Sequence, residues 1–234
     1  MIVSGRWACA LLPLAMLAGC KGLPERPNAA ETYEVEAADP AKVQQIKSDA
    51  VRALLEKGQY YAALAHIDEQ KQLAPNNPEL ILLEAEARRH LQQQQASEAL
   101  YRRLIGGPLE GQAWHGLGLL TARNDLGAAV DALRNAARKL PTDVEIRNDL
   151  GYALMEAGRY TEALPELSTA AELAPTQLKS RNNLIILMLL TGNQAGADQM
   201  ARQSGATPET VKQLRAQAQA IRSQQASRGY RSPG

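Results

Sequence analysis

The sequence contains no phenylalanine, and its aromatic content is only 4% although 45% of its residues are hydrophobic. That poverty argues against sandwiches or barrels with aromatic-lined cores and favours helices that pack through alanine and leucine. No charge sign is in excess: Lys and Arg number 26 against 25 Asp and Glu, and Arg6 lies in a segment expected to be removed. A global field able to recruit nucleic acid is therefore missing. Arg222, Arg228 and Arg231 make the tail mildly basic, but without interleaved aromatics they read as a solubilising end. Histidines are few, and His66, His90 and His115 have no cysteine or carboxylate pair at ligand spacing, which argues against a metal site. Gly106-Gly107 and Gly116-Leu117-Gly118 lack the Gly-Lys-Ser/Thr ending of a phosphate loop. No serine sits in a nucleophile elbow. Glu84, Glu86, Glu162 and Glu166 read as solvated helix faces. The expectation is a protein that is not an enzyme and takes no cofactor, metal, nucleic acid or small-molecule substrate.

Long apolar runs are also absent. Met1 to Arg6 carries one positive charge, and Trp7 to Leu17 is apolar but interrupted by Pro13. This is about half of the roughly 20 residues needed to cross a bilayer, so residues 1–19 read as a signal peptide. The tetrad Leu17-Ala18-Gly19-Cys20 that follows resembles the lipobox of bacterial lipoproteins. That resemblance implies a diacylglyceryl group on the Cys20 thiol, cleavage before it, and further acylation of its amine. Two or more fatty chains hold a protein stably at a membrane where one holds it marginally. The competing reading is ordinary secretion with a cut near Ala8-Cys9-Ala10 or Ala18-Gly19. If Cys9 leaves with the leader, the remaining cysteine is lipidated and no disulfide within the chain is possible. Lys21, where lipoproteins of the inner membrane often carry aspartate, tilts sorting toward the outer membrane, with the protein facing the periplasm. Residues 20–41 carry three prolines after the cysteine and no helical stripe. They read as a flexible linker spanning on the order of 25 Å, with Tyr33 and Val35 as its only grip for a partner.

From residue 42 onward the chain repeats. Gln72-Leu73-Ala74-Pro75, Lys139-Leu140-Pro141 and Glu172-Leu173-Ala174-Pro175 end alike; Pro141 and Pro175 are 34 residues apart, and Pro75 and Pro141 are 66 apart. A 34-residue helix-turn-helix period is the tetratricopeptide-repeat (TPR) signature. Leu150-Gly151, Leu154, Gly158, Tyr160, Ala163, Leu167, Ala170 and Pro175 occupy that pattern's positions, and only its early tryptophan is missing, replaced by Arg147. Gly151 and Ala163 are expected where the two helices approach closely, so enlarging either overpacks the seam by about 1–3 kcal/mol. Units at 44–77 and 112–141 repeat the scheme, the second with a shortened turn. Unit 78–107 is degenerate with a glutamine run, Gln92 to Gln95, as its turn, and a fifth starts at Leu178. Thr207-Pro208-Glu209 resembles a helix start and predicts a capping helix over 207–225, with a frayed tail at 226–234. Pro165 predicts a kink or late start in the second helix of the best unit. The fold class is thus all-α: a TPR solenoid of about five repeats over 42–206 with a C-terminal capping helix. A generic bundle with accidental periodicity is the alternative.

In TPR proteins the first helices of successive units line a concave groove for an extended peptide or a helix. Carried onto this chain, the inward positions are Gln112, His115 and Leu119; Asn148, Tyr152 and Met155; and Asn182, Ile186 and Leu189. Asparagine amides donate to and accept from a ligand backbone, while Tyr152 and Met155 offer adaptable apolar contact. The run Leu184 to Leu190 is apolar all round, so its groove side is covered either by the C-terminal helix or by a partner's hydrophobic segment.

The stretch from Asn148 to Asn193, together with the lipobox, resembles the TadD-type lipoproteins of Tad/Flp pilus assembly. That resemblance implies a pilotin-like assembly factor: lipid localises the array, and the groove binds an outer-membrane secretin or another pilus component. The alternatives are a type IV pilus pilotin and a periplasmic adaptor for cell-wall hydrolases.

Overall fold

A computed structural model describes residues 39–229. The expected signal peptide, Cys20, nearly all of the linker and the last five residues of the tail lie outside the described residues. Pro40 begins a compact unit. Among the described residues there are helices and no strands: α1 (Pro40–Glu56), α2 (Tyr60–Leu73), α3 (Pro78–His90), α4 (Gln94–Arg103), α5 (Glu110–Thr121), α6 (Leu126–Lys139), α7 (Val144–Glu156), α8 (Tyr160–Leu173), α9 (Leu178–Leu190), α10 (Gln194–Gln203) and α11 (Pro208–Ser227). Each odd-numbered helix up to α9 packs against the even one that follows, and each pair packs against the next. Five helix pairs and a terminal helix follow one another as the repeat spacing predicts. None of these helices is long and apolar enough to cross a membrane.

One small residue recurs in the second helix of every pair. Ala63, Ser97, Ala129, Ala163 and Ala197 are all at most 1% exposed, because the first helix leaves no room for a larger side chain. The degenerate second unit obeys the rule through Ser97, whose buried hydroxyl donates to the Ala85 carbonyl at 2.8 Å. On the first helices of the third and fourth pairs the matching residue is glycine. A Cβ on Gly118 would lie 2.6 Å from Leu133 Cγ, and one on Gly151 would lie 2.6 Å from Leu167 Cγ.

The turns inside four pairs share one hydrogen-bond geometry. In the fourth pair Gly158 N donates to Met155 O and Arg159 N to Leu154 O, the two-bond Schellman closure in which the residue past the helix end turns left-handed. Gly58, Gly158 and Gly192 hold that conformation at φ 71°, 71° and 82°. In the second pair Gln92 takes the same place at φ 59°, where Gln92 N donates to Arg89 O and Gln93 N to Arg88 O. The glutamine run therefore makes the same turn as its glycine counterparts, at the steric cost of a Cβ. The third pair closes without a glycine: Asp125 N donates to Thr121 O, and the Asp125 carboxylate caps α6 by accepting from Ala128 N at 2.9 Å.

Two local expectations differ from what is observed. Pro165 neither delays nor ends α8, which starts at Tyr160 and continues through it to Leu173. Ala163, Leu167 and Ala170 on its inner face are completely buried, and that packing outweighs one lost backbone bond. Glu84 is not on a solvated face. It is 4% exposed, with Lys71 Nζ at 2.5 Å and Arg88 Nη2 at 2.7 Å. Burial opposes its charge, but the two cations win and hold its carboxyl below the usual value. Helix α11 begins at Pro208 behind a capping Thr207, whose hydroxyl accepts from Thr210 N, and it runs two residues past the expected boundary.

Gln92→Gly is expected to raise stability by about 0.5–1 kcal/mol, since relief of the left-handed strain exceeds the added freedom of the unfolded chain. A higher urea midpoint at unchanged slope checks it. Gly151→Ala is expected to lower stability by about 1–3 kcal/mol in the same assay, because the methyl group meets Leu167.

Candidate functional site

The first helices of the pairs form a continuous face on which α1 packs against α3, α3 against α5 and α7 against α9. Polar side chains bridge most of these neighbours. Across α1 and α3, Arg52 Nη2 reaches Glu79 Oε1 at 2.6 Å, and Ser48 Oγ donates to Glu79 Oε2 at 2.9 Å. Across α5 and α7, His115 Nε2 lies 2.8 Å from Asp149 Oδ2. Across α7 and α9, Lys179 Nζ donates to Asp149 Oδ1 at 3.0 Å, and Asn183 Nδ2 donates to Asn148 Oδ1 at 2.8 Å. Burial disfavours the Asp149 charge, but His115 and Lys179 overcome it and hold the carboxyl below its ordinary value.

The expected groove residues divide into two groups. Gln112, His115 and Leu119 are half-buried on α5, and Tyr152 is 36% exposed on α7. Asn148, Met155, Ile186 and Leu189 are buried, between 0 and 4% exposed, and offer no surface to a partner. Asn182 is half-buried, and the amide that answers Asn148 belongs to its neighbour Asn183. The repeat pattern assigns these positions to side chains that meet a ligand; here Asn148, Met155, Ile186 and Leu189 meet this chain's own residues.

The cover is α11. Its Leu214, Ala218, Ile221 and Gln225 are buried, and the first three share one apolar cluster with Met155, Ile186 and Leu189. Its polar groups address the open ends of the helices beneath. Gln225 Nε2 donates to Met155 O at 2.8 Å and to Glu156 O at 3.2 Å, and Tyr160 Oη donates to Gln225 Oε1 at 2.7 Å. Arg222 Nη2 donates to Leu189 O at 2.6 Å and to Leu190 O at 3.2 Å. Carbonyls in the last turn of a helix have no partner within it; turn amides already reach Met155 O and Leu189 O, and α11 adds side-chain donors at the ends of both α7 and α9. Sequence reasoning missed Gln225, and it read Arg222 as part of a solubilising end, whereas Arg222 is held on the carbonyls of α9. The signal was the spacing 214, 218, 221, 225, a single stripe that carries its glutamine on the buried side.

What stays uncovered is the face of the first three pairs and the start of the fourth: Arg52, Glu86, Arg89, His115, Leu119 and Tyr152. Glu86, expected on a solvated face, is half-buried. Burial pushes its carboxyl up, against the opposing pull of Arg89, Arg52 and His115. Among the described residues no three histidines, cysteines or carboxylates are grouped to hold a metal ion.

Because Asn148 serves the Asn183 amide, Asn148→Ala is expected to destabilise by about 1–3 kcal/mol through the buried donor it strands. Asn182→Ala, at a half-buried position, is expected to cost under about 0.5 kcal/mol. Paired urea unfolding curves separate them, and equal shifts would contradict this assignment of the two asparagines.

Known proteins carry the same pattern. Residues 120–181 match the tetratricopeptide repeat. The TPR repeat-containing protein PA4299 of Pseudomonas aeruginosa is 33% identical over 189 residues, covering 80% of this chain and 73% of the relative. Among solved structures, TTC0263, a thermophilic TPR protein of Thermus thermophilus, aligns at TM-score 0.59 and 19% identity over 76% of this chain and 97% of its own. MamA (residues 41 to end) of Desulfovibrio magneticus RS-1 aligns at TM-score 0.56 and 16% identity over 74% of this chain and 95% of its own. With its small-residue seams, its shared turn geometry and this relative in Pseudomonas, the chain belongs to the tetratricopeptide-repeat proteins, helical scaffolds that bind other proteins.

Proposed function

We propose that this protein is a lipid-anchored periplasmic scaffold of the pilotin kind, which holds a segment of the Tad/Flp pilus secretin, or of another pilus component, at the outer membrane. The observation that carries the reading is the division of the first-helix face. Helix α11 occupies the part formed by α7 and α9, whereas α1, α3 and α5 present Arg52, Arg89, His115 and Leu119 without a covering helix. A face with polar side chains and short apolar stretches suits an extended peptide, whose backbone takes hydrogen bonds and whose side chains give specificity. The anchor rests on Leu17-Ala18-Gly19-Cys20, whose resemblance to a lipobox calls for a lipid on Cys20 as the covalent group. In this reading the chain carries out no chemistry; it localises and presents.

Cys20→Ser is expected to move the protein from the membrane to the soluble fraction, and retention in membranes would remove the lipid anchor from the reading. Affinity capture from detergent-solubilised membranes with the lipidated protein is expected to recover the Tad/Flp secretin. Recovery of a type IV pilus secretin would assign the protein to that machine, and murein hydrolases without any secretin would make it an adaptor of cell-wall enzymes.

A further inference from the structure

The first pair ends differently from every later one. Ile46 on α1 is 68% exposed, whereas the equivalent residues of α3, α5, α7 and α9, namely Leu80, Ala113, Ile146 and Ser180, are at most 1% exposed. Ala50 is exposed as well, where Leu117, Leu150 and Leu184 are buried. The cause is the packing order. Each later first helix lies against the second helix of the pair before it, and among the described residues no helix precedes α1. Val43, Ile46, Ala50 and Leu54 therefore form an apolar stripe at helical spacing. It runs along the side of α1 opposite Ser48 and Arg52, the side chains that reach Glu79 of α3.

The opposite end of the array is closed, because α11 shares an apolar cluster with α9; a second molecule has no free tail to add to this head. What fits α1 is a helix with a matching stripe, and α1 of another copy is one. Charge favours the same match. Lys42 and Glu56 are exposed near opposite ends of α1, on one flank of the stripe, and neither forms an ion pair among the described residues. When two α1 helices pack antiparallel, Lys42 of each copy comes opposite Glu56 of the other. Such a contact uses one patch twice and closes on itself.

We infer that the α1 end of the array is the contact between two copies of this chain, with their α1 helices antiparallel about a two-fold axis. That axis keeps both open first-helix faces on the same side, so the dimer offers a partner two surfaces where the monomer offers one. The size of the contact sets its strength. With 17 residues, α1 is about 25 Å long, and with α2 beside it the end face covers about 500 Å² per copy. Two copies bury about 1,000 Å², the lower limit for a specific interface, so a dissociation constant in the micromolar range is expected. Asp49, midway along the flank that carries Lys42 and Glu56, meets its own counterpart near the axis and keeps the association weak.

The test is sedimentation velocity on the full chain carrying Cys20→Ser, which keeps lipid micelles out of the measurement, over about 1 to 100 μM. The protein is expected to pass from monomer to dimer across that range and to form nothing larger. Ile46→Asp, at an exposed position that leaves the fold intact, is expected to hold it monomeric. Leu178→Asp, at an exposed leucine of the fifth pair, is expected to leave the dimer unchanged. Lys42→Glu and Glu56→Lys are each expected to weaken it by about threefold, and the two changes together to restore it. A monomer at every concentration would overturn the inference and leave the exposed stripe to some other occupant. A dimer that survives Ile46→Asp, or one lost equally with Leu178→Asp, would overturn it too.

Discussion

The close approach of the two helices in each pair is the constraint on which the rest of the architecture depends. It is enforced by one small, buried residue per second helix, Ala63, Ser97, Ala129, Ala163 and Ala197. Where the approach is tightest, Gly118 and Gly151 answer from the first helix. A chain without phenylalanine can still build dense interiors on these terms, because dispersion depends on many short contacts and not on large rings. The consequence for function is direct. With their seams turned inward against the second helices, the first helices are left to form a face of their own.

How that face is used depends on α11. A terminal repeat needs its outer apolar surface shielded, and α11 meets that need by lying over α9 and reaching the end of α7. Its contacts are those of a bound ligand: an apolar stripe in the shared cluster, a glutamine and an arginine on helix-end carbonyls, and a tyrosine hydroxyl answering the glutamine. The same contacts that stabilise the end of the array therefore set the limit of the face a partner can reach. The apolar helix Leu178–Leu190 is covered from within the chain, and the open portion is the more polar one.

The repeat architecture is legible in the sequence because each constraint leaves a residue behind: a glycine at three turns, an alanine at four seams, a proline after a second helix. The second pair reads as degenerate because it meets the same constraints with different atoms. Ser97 is small enough for the seam, and Gln92 tolerates the left-handed turn. The site is less legible. Position within the repeat places Asn148, Ile186 and Leu189 on the correct face but says nothing about what covers it, since the cover comes from contacts between residues about 30 to 70 apart. Glu84 and Glu86 escape the sequence pattern for a related reason: neighbouring helices bury both, and Lys71 of the preceding helix joins Arg88 of the same helix in holding Glu84 charged.

Charge completes the division of labour. The chain is nearly neutral, so no long-range field draws a partner in, and recognition has to be local. Along the first-helix face most charges are engaged within the protein: Arg52 with Glu79, His115 and Lys179 with Asp149. These bridges hold one first helix to the next while leaving little net potential for a partner to read. Arg89 and Arg123 lack such carboxylate partners, and they occupy the one described junction of first helices without a polar bridge.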